Sequence, residues 1–147
     1  MNHDKLRKLI QEKRDASYFF GTVDDATIKK AEEKLDLKFP KEYREFLGEY
    51  GCGNIGPIEI FGLGPSVESV PNVEWVIKNL RETRDLPNYL IPVENIGDGS
   101  YAVLSSASSS KHGVMEGIVL QWNSRVNDPQ KIANNFGEYL QERLLNT

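Results

Sequence analysis

An α+β domain, with helices packed on a mostly antiparallel sheet, is the fold this sequence predicts. Helix-period segments gather at the start of the chain, strand-like runs cluster in its middle, and one helix-period segment closes it. Strands and helices therefore do not alternate as a doubly wound parallel sheet requires. The strand-like runs are short and separated by glycine turns, which suits antiparallel hairpins. A chain of 147 residues, 39% hydrophobic and 10% aromatic, is the size and composition of a single domain that buries its own core.

Leu6, Leu9 and Ile10 predict a short amphipathic helix over residues 4 to 14. Ile28, Ala31 and Leu35 keep helical spacing after Asp24 and Asp25, either of which can cap the free amides of a second helix. In KFPKEYREFLGEYG, Pro40 fits the first turn of a third helix, where its missing N–H is no loss. Tyr43, Phe46, Leu47 and Tyr50 form its apolar face, and Gly51 stands where a left-handed cap is expected. PIEIFGLG reads as a short strand. Residues 72 to 84 return to helix, with Asn72 as cap and Val73, Val76, Ile77 and Leu80 on one face.

YLIPVEN, SYAVLSS and GIVLQWN predict three further strands, the first turn being Gly97-Asp98-Gly99. The stretch SSASSSKHGVMEG predicts a flexible hairpin loop. Asp128 and Pro129 predict the cap and first turn of a closing helix that carries Ile132, Phe136, Tyr139, Leu140 and Leu144.

GCGNIG, residues 51 to 56, matches the G-x-G-x-x-G string of dinucleotide loops. Such a loop leaves a strand and opens a helix, whose N-terminal amides hold the phosphates. Here a helix ends and a strand begins, so the nearby dipole is the end that repels phosphate. The glycines predict a turn, and no cofactor is expected. Cys52 lacks a base in reach, since the two histidines are His3 near the chain start and His112 in the serine stretch. One cysteine and two histidines provide no zinc-spaced ligand set, and the serines lack the patterns that activate a nucleophile.

The single cysteine fits a reducing compartment, and the mixed polar start has neither a signal-peptide apolar core nor a run of roughly 20 apolar residues. A cytoplasmic protein without membrane attachment is expected. The net charge of −4 is placed unevenly. Residues 1–50 carry 11 basic and 11 acidic side chains and residues 105–147 carry 4 and 4, whereas 51–104 carry 3 against 7. A chain without a basic stripe is poorly suited to direct nucleic-acid binding, and an acidic middle suits a basic partner. Glu42, Glu45 and Glu49, interleaved with Lys41 and Arg44, read as a solvated helix face. Trp122 reads as core, while Trp75 lies off the apolar face of its helix and is a candidate interface anchor.

IKKAEEKLDLKFPKEYREFLGEYGCGNIG, followed by IPVENIGDGSYAVLSS, GIVLQWN and IANNFGEYLQERL, resembles in order and character the SUKH superfamily, the Smi/Knr-type proteins. The resemblance runs over residues 24 to 145, and the serine-rich hairpin departs from the usual pattern. It implies an α+β fold, no enzymatic activity and, for compact members, immunity to a cognate toxin, often a nuclease, by direct binding. A scaffold or regulatory role is the alternative it implies. A nuclease is basic where it grips phosphate, so an inhibitor of such a site benefits from acids. The expected partner face is Glu59, Glu94 and Asp98, with Trp75 and Tyr101 as aromatic anchors.

Overall fold

The computed structural model describes residues 3–64 and 71–147. Helix α1 (His3–Glu12) leads through a single 3-10 turn into strand β1 (Tyr18–Phe19). Helices α2 (Asp25–Leu35) and α3 (Lys41–Tyr50) follow, then the hairpin of β2 (Gly53–Ile55) and β3 (Ile58–Ile60). Helix α4 (Val73–Arg84) precedes β4 (Leu90–Gly97), β5 (Ser100–Ser105), β6 (Val119–Asn123) and β7 (Val126–Ala133), and α5 (Phe136–Leu145) closes the chain. The strands form two antiparallel sheets, β1-β2-β3 and β4-β5-β6-β7. They meet where the Phe61 N–H donates to the Val93 carbonyl at 2.8 Å.

The helix ends follow the expected chemistry. The Asp24 carboxylate accepts from the Thr27 amide at 2.8 Å, and the Asn72 side chain accepts from the Trp75 amide at 3.1 Å. Pro40 sits one residue earlier than expected, in the capping position itself, where its carbonyl accepts from the Arg44 amide. Gly51 has the positive φ expected, 76°, but with ψ −80° it is not left-handed helical. A Cβ there would lie 2.6 Å from the Gly21 carbonyl oxygen and 2.8 Å from that of Leu63. GCGNIG holds a strand as well as a turn: Gly53 and Asn54 pair with β1 on one side, and Gly53, Asn54 and Ile55 pair with β3 on the other. The unpredicted β1 is two residues long, too short to leave a period-2 pattern.

Two other expectations are corrected. The closing helix does not start at Asp128 and Pro129, because residues 126–133 form β7 and Asn135 caps α5 by accepting from the Glu138 amide at 2.8 Å. Pro129 stands in the edge strand of its sheet, where a missing donor leaves the ladder intact. The serine stretch is not a flexible loop. Residues Ala107–His112 form a 3-10 helix, and Ser105, fully buried, donates to the Met115 carbonyl at 2.6 Å and accepts from the Ile118 amide at 3.0 Å. Its hydroxyl thus adds to the backbone pairing at the base of the loop, where the Ser105 amide donates to the Ile118 carbonyl at 3.0 Å and the Ser105 carbonyl accepts from the Gly117 amide at 2.9 Å.

The core fills the space between helices and sheets. Tyr43, fully buried, contacts the rings of Phe39, Phe46 and Phe136, and its hydroxyl donates to the Phe61 carbonyl at 2.7 Å. One side chain thereby ties α3 and α5 to the seam between the sheets. Helix α1 lies against α5 through buried Leu6 and Ile10. The presumed solvated face of α3 is also engaged, since Arg7 of α1 donates to Glu49 at 3.0 and 3.2 Å. Arg44 bridges Asp25 and the buried Glu32 of α2.

Candidate interaction surface

Strand register decides which of the expected contact residues can meet a partner. In β4–β5–β6, Tyr101 stands opposite Asn95 and Trp122, whereas Ala102 stands opposite Glu94 and Gln121. Directly opposed residues share a face and successive residues alternate, so Glu94 and Tyr101 point to opposite sides of the sheet.

The Glu94 side is covered by α5. Glu94 is 4% exposed, and its carboxylate accepts from the Tyr139 hydroxyl at 2.6 Å and from Arg143 at 2.9 Å and 2.6 Å. Burial together with this bond pushes the Tyr139 hydroxyl pKa far above its ordinary value. The expectation that Glu94 belongs to an exposed acidic face is therefore corrected. Burial of a carboxylate is costly unless it is paired and hydrogen-bonded, and the Arg143 guanidinium and Tyr139 hydroxyl supply those partners. Glu74, 6% exposed, is likewise held by Lys34 and Lys78. Two acids of the acidic middle are structural, and Glu68 lies outside the described residues.

The opposite side keeps the other candidates at different places. Tyr101 is half-buried between Phe61 and Trp122, with ring centroids 6.4 and 6.2 Å away. Asp98 is exposed at the tip of the β4–β5 hairpin with φ 56°, followed by Gly99 at φ 79°. Two positive φ values in a two-residue loop are what the twist of a tight hairpin demands. Glu59, half-buried on β3, faces Asn54 and raises the Cys52 thiol pKa, an effect that follows burial in size. Trp75 is half-buried against the core in the first turn of α4, whereas Asp98 adjoins its last turn, roughly 14 Å away along the axis. The structure brings Tyr101 and Asp98 onto one hairpin, with Glu59 on β3 two residues from the Phe61 that packs on Tyr101, and Trp75 at the other end of α4.

A groove unnoticed in the sequence lies beside that hairpin. It encloses about 510 Å³ and is lined by Arg84, Asp85, Tyr89, Trp122, Val126 and Pro129, among others. Its walls come from the end of α4, the connection to β4 and the β6–β7 hairpin, and the Asp98–Gly99 turn adjoins it through Arg84 and Asn123. A Cβ on Gly99 would sit 3.3 Å from Arg84 Nη1 and 3.5 Å from Asn123 Nδ2, and Asn123 donates to the Asp98 carbonyl at 3.2 Å. Tyr89 is held by stacking on His112 at 4.3 Å. Glu82, Asp85, Asp98 and Asp128 are exposed around this end, with Arg84 and Arg125 among them. Ile96 and Val126, 36% and 56% exposed, add apolar surface at the two hairpins. The only sequence sign of the groove was Asp85-Leu86-Pro87, a helix-stop pattern.

No group of metal-ligating side chains is assembled among the described residues, and none of their helices is long and apolar enough to cross a membrane.

Fold and surface define a small α+β domain with helices packed on two antiparallel sheets. A family model described as SUKH_5, SMI1-KNR4 cell-wall, matches residues 3–145, and the chain belongs to this family. A protein from Pseudomonas syringae pv. tomato, known from a crystal structure, has a similar fold with a TM-score of 0.70 at 18% identity. The match covers 96% of this chain and 99% of that one.

Proposed function

We propose that this protein is a non-catalytic immunity protein that binds and neutralises a cognate toxin, the toxin being a nuclease with a basic phosphate-gripping surface. The observation that supports the reading is the end face just described, where exposed Asp85 lines a groove beside the half-buried Tyr89 and exposed Asp98 stands on the adjoining turn. Acids at a rim steer a basic partner and fix its register, while half-buried aromatic rings supply the apolar anchor. Asp98 and Tyr101 belong to this contact surface, with Glu59 and Trp75 toward its periphery. Glu94 supports the surface from behind.

Co-expression with the product of the adjacent reading frame tests the proposal. Wild-type protein should rescue growth and co-purify with that product, and the double variant Asp85→Asn, Asp98→Asn, which keeps residues tolerant of positive φ, should do neither while folding normally. Full protection by the double variant counts against this surface, and absence of protection by the wild type counts against immunity. The family description also names the cell wall, which favours a second reading, a scaffold or regulatory module that uses the same surface for a housekeeping partner. Co-purification with a non-toxic protein in place of the neighbouring product would support that reading.

A further inference from the structure

We infer that Asn123 is the positioning residue of the contact surface: its carboxamide ties the β4–β5 and β6–β7 turns into one unit and so sets where the Asp98 carboxylate stands. The inference rests on the reading of this end as the surface that meets the partner. Asn123 ends β6, with Ser100 of β5 opposite on one side and Val126 of β7 on the other. It therefore stands between the two hairpins. Its Nδ2 donates to the Asp98 carbonyl at 3.2 Å and to the Ser100 hydroxyl at 3.1 Å, while Oδ1 accepts from the Arg125 amide at 3.0 Å. A backbone carbonyl can only accept and a backbone N–H can only donate, so these partners fix which way round the carboxamide lies. Both of its donor hydrogens and its oxygen are in use.

The tie acts where the pairing of the sheet stops. The last paired residues of the first hairpin are Gly97 and Ser100, so Asp98 and Gly99 lie beyond the ladder. The Asp98 carbonyl finds its donor on the neighbouring hairpin instead. The Asp98 side chain is exposed and, among the described residues, enters no ion pair. Its charge is open to a partner. A carboxylate on an untied turn spreads over many positions and must be ordered on binding, whereas one held by the next hairpin meets its partner already in place. The same carboxamide shapes the β6–β7 turn, since its bond to the Arg125 amide closes an Asx turn. One side chain thus fixes the spacing between Asp98 and the backbone that bears Arg125.

A double-mutant cycle tests this on the intact protein, with the product of the adjacent reading frame as probe. Asn123→Ala should weaken binding about tenfold in the wild-type background but less than about twofold beside Asp98→Asn, a variant that retains Asp85. A residue that only supported the fold would cost the same factor in both backgrounds. Equal factors, or unweakened binding by Asn123→Ala, would overturn the assignment. A second readout needs no partner: NMR relaxation of the Asp98 and Gly99 amides should report greater mobility in Asn123→Ala, with the circular dichroism spectrum unchanged. Unchanged mobility also counts against the tie. Asn123→Ser, whose hydroxyl can still accept from the Arg125 amide but has no amide to give Asp98, should reproduce both effects and serves if the alanine variant folds poorly. Rescue and binding that persist at full strength in these variants remove the positioning role and leave immunity standing. A wild type that fails to bind the product removes the immunity reading, and the relaxation comparison then decides the tie by itself.

Discussion

Glu94 shows how the meaning of one carboxylate changes with its surroundings. On a strand beside a turn it reads as surface charge; in place it joins Tyr139 and Arg143 of α5 to β4. Glu94→Ala leaves the Tyr139 hydroxyl and the Arg143 guanidinium without their acceptor. Removal of one partner from such a buried pair costs about 3 kcal/mol, so the midpoint of thermal unfolding should fall by roughly 10 °C. Calorimetry checks this, and Tyr139→Phe should lose clearly less. A second consequence concerns alkaline pH. Burial raises the hydroxyl pKa values of Tyr43, Tyr50 and Tyr139, and in Tyr139 the Glu94 bond adds to it. A raised folded pKa means that the stability contributed is complete below the ordinary tyrosine value near 10 and declines as pH rises beyond it. In an ultraviolet titration of tyrosinate, the buried Tyr43 and Tyr139 should therefore ionise only as the protein unfolds. Ionisation of all six tyrosines in one reversible step before unfolding would contradict the burial argument.

At the level of elements, the close passage of Gly51 and Gly62 fixes how the helical start meets the sheet. The Gly51 carbonyl accepts from the Leu63 amide at 3.0 Å, and a Cβ on Gly62 would lie 1.9 Å from that carbonyl oxygen. Both contacts are with backbone, which cannot rotate aside as a side chain does. Gly51→Val and Gly62→Ala should each abolish soluble folded protein. Gly56→Ala meets nothing within 4 Å and carries only the strain of φ 59°, about 1 kcal/mol; expression yield and circular dichroism distinguish the two outcomes. The start of α2 offers a pH-dependent counterpart. Hydrogen bonds from Thr27 hold the Asp24 carboxyl below its usual range, so its contribution is present above the ordinary value near 4 and is lost as pH falls through the folded one. The Thr27 amide should lose exchange protection on acidification, and Asp24→Asn should retain the cap while removing that pH dependence.

The whole molecule separates two kinds of acid, those buried against basic side chains and those exposed at the ends of elements. Acids facing the helices are neutralised by arginine and lysine and hold the fold together, and those at the hairpin and helix ends stay exposed. The Asp85→Asn, Asp98→Asn variant, which keeps residues tolerant of positive φ at both places, should keep the wild-type unfolding midpoint while losing partner binding, and Glu94→Ala should show the reverse within its folded fraction. Thermal denaturation beside a binding titration with the co-purified partner separates the two classes. Salt should weaken the wild-type complex, because exposed charges are screened over about 10 Å at 0.1 M ionic strength.

Local chemistry made much of this protein legible in its sequence. The helices at 25–35, 41–50 and 73–84 follow from apolar spacing with capping by Asp24 and Asn72, and the Asp98–Gly99 hairpin follows from its turn residues. Those signals act within a few residues, so the sequence by itself determined them, along with the α+β order of segments. Tertiary structure alone decided that residues 126–133 pair with β6 instead of extending α5, because a strand gains its hydrogen bonds from a distant segment. It alone decided that GCGNIG joins a sheet, that Ser105 closes a buried loop, and that Glu94 faces α5 while Tyr101 faces away. A side chain's charge is written in the chain, but whether that charge meets water or a guanidinium depends on register and packing. These long-range pairings leave no periodic trace.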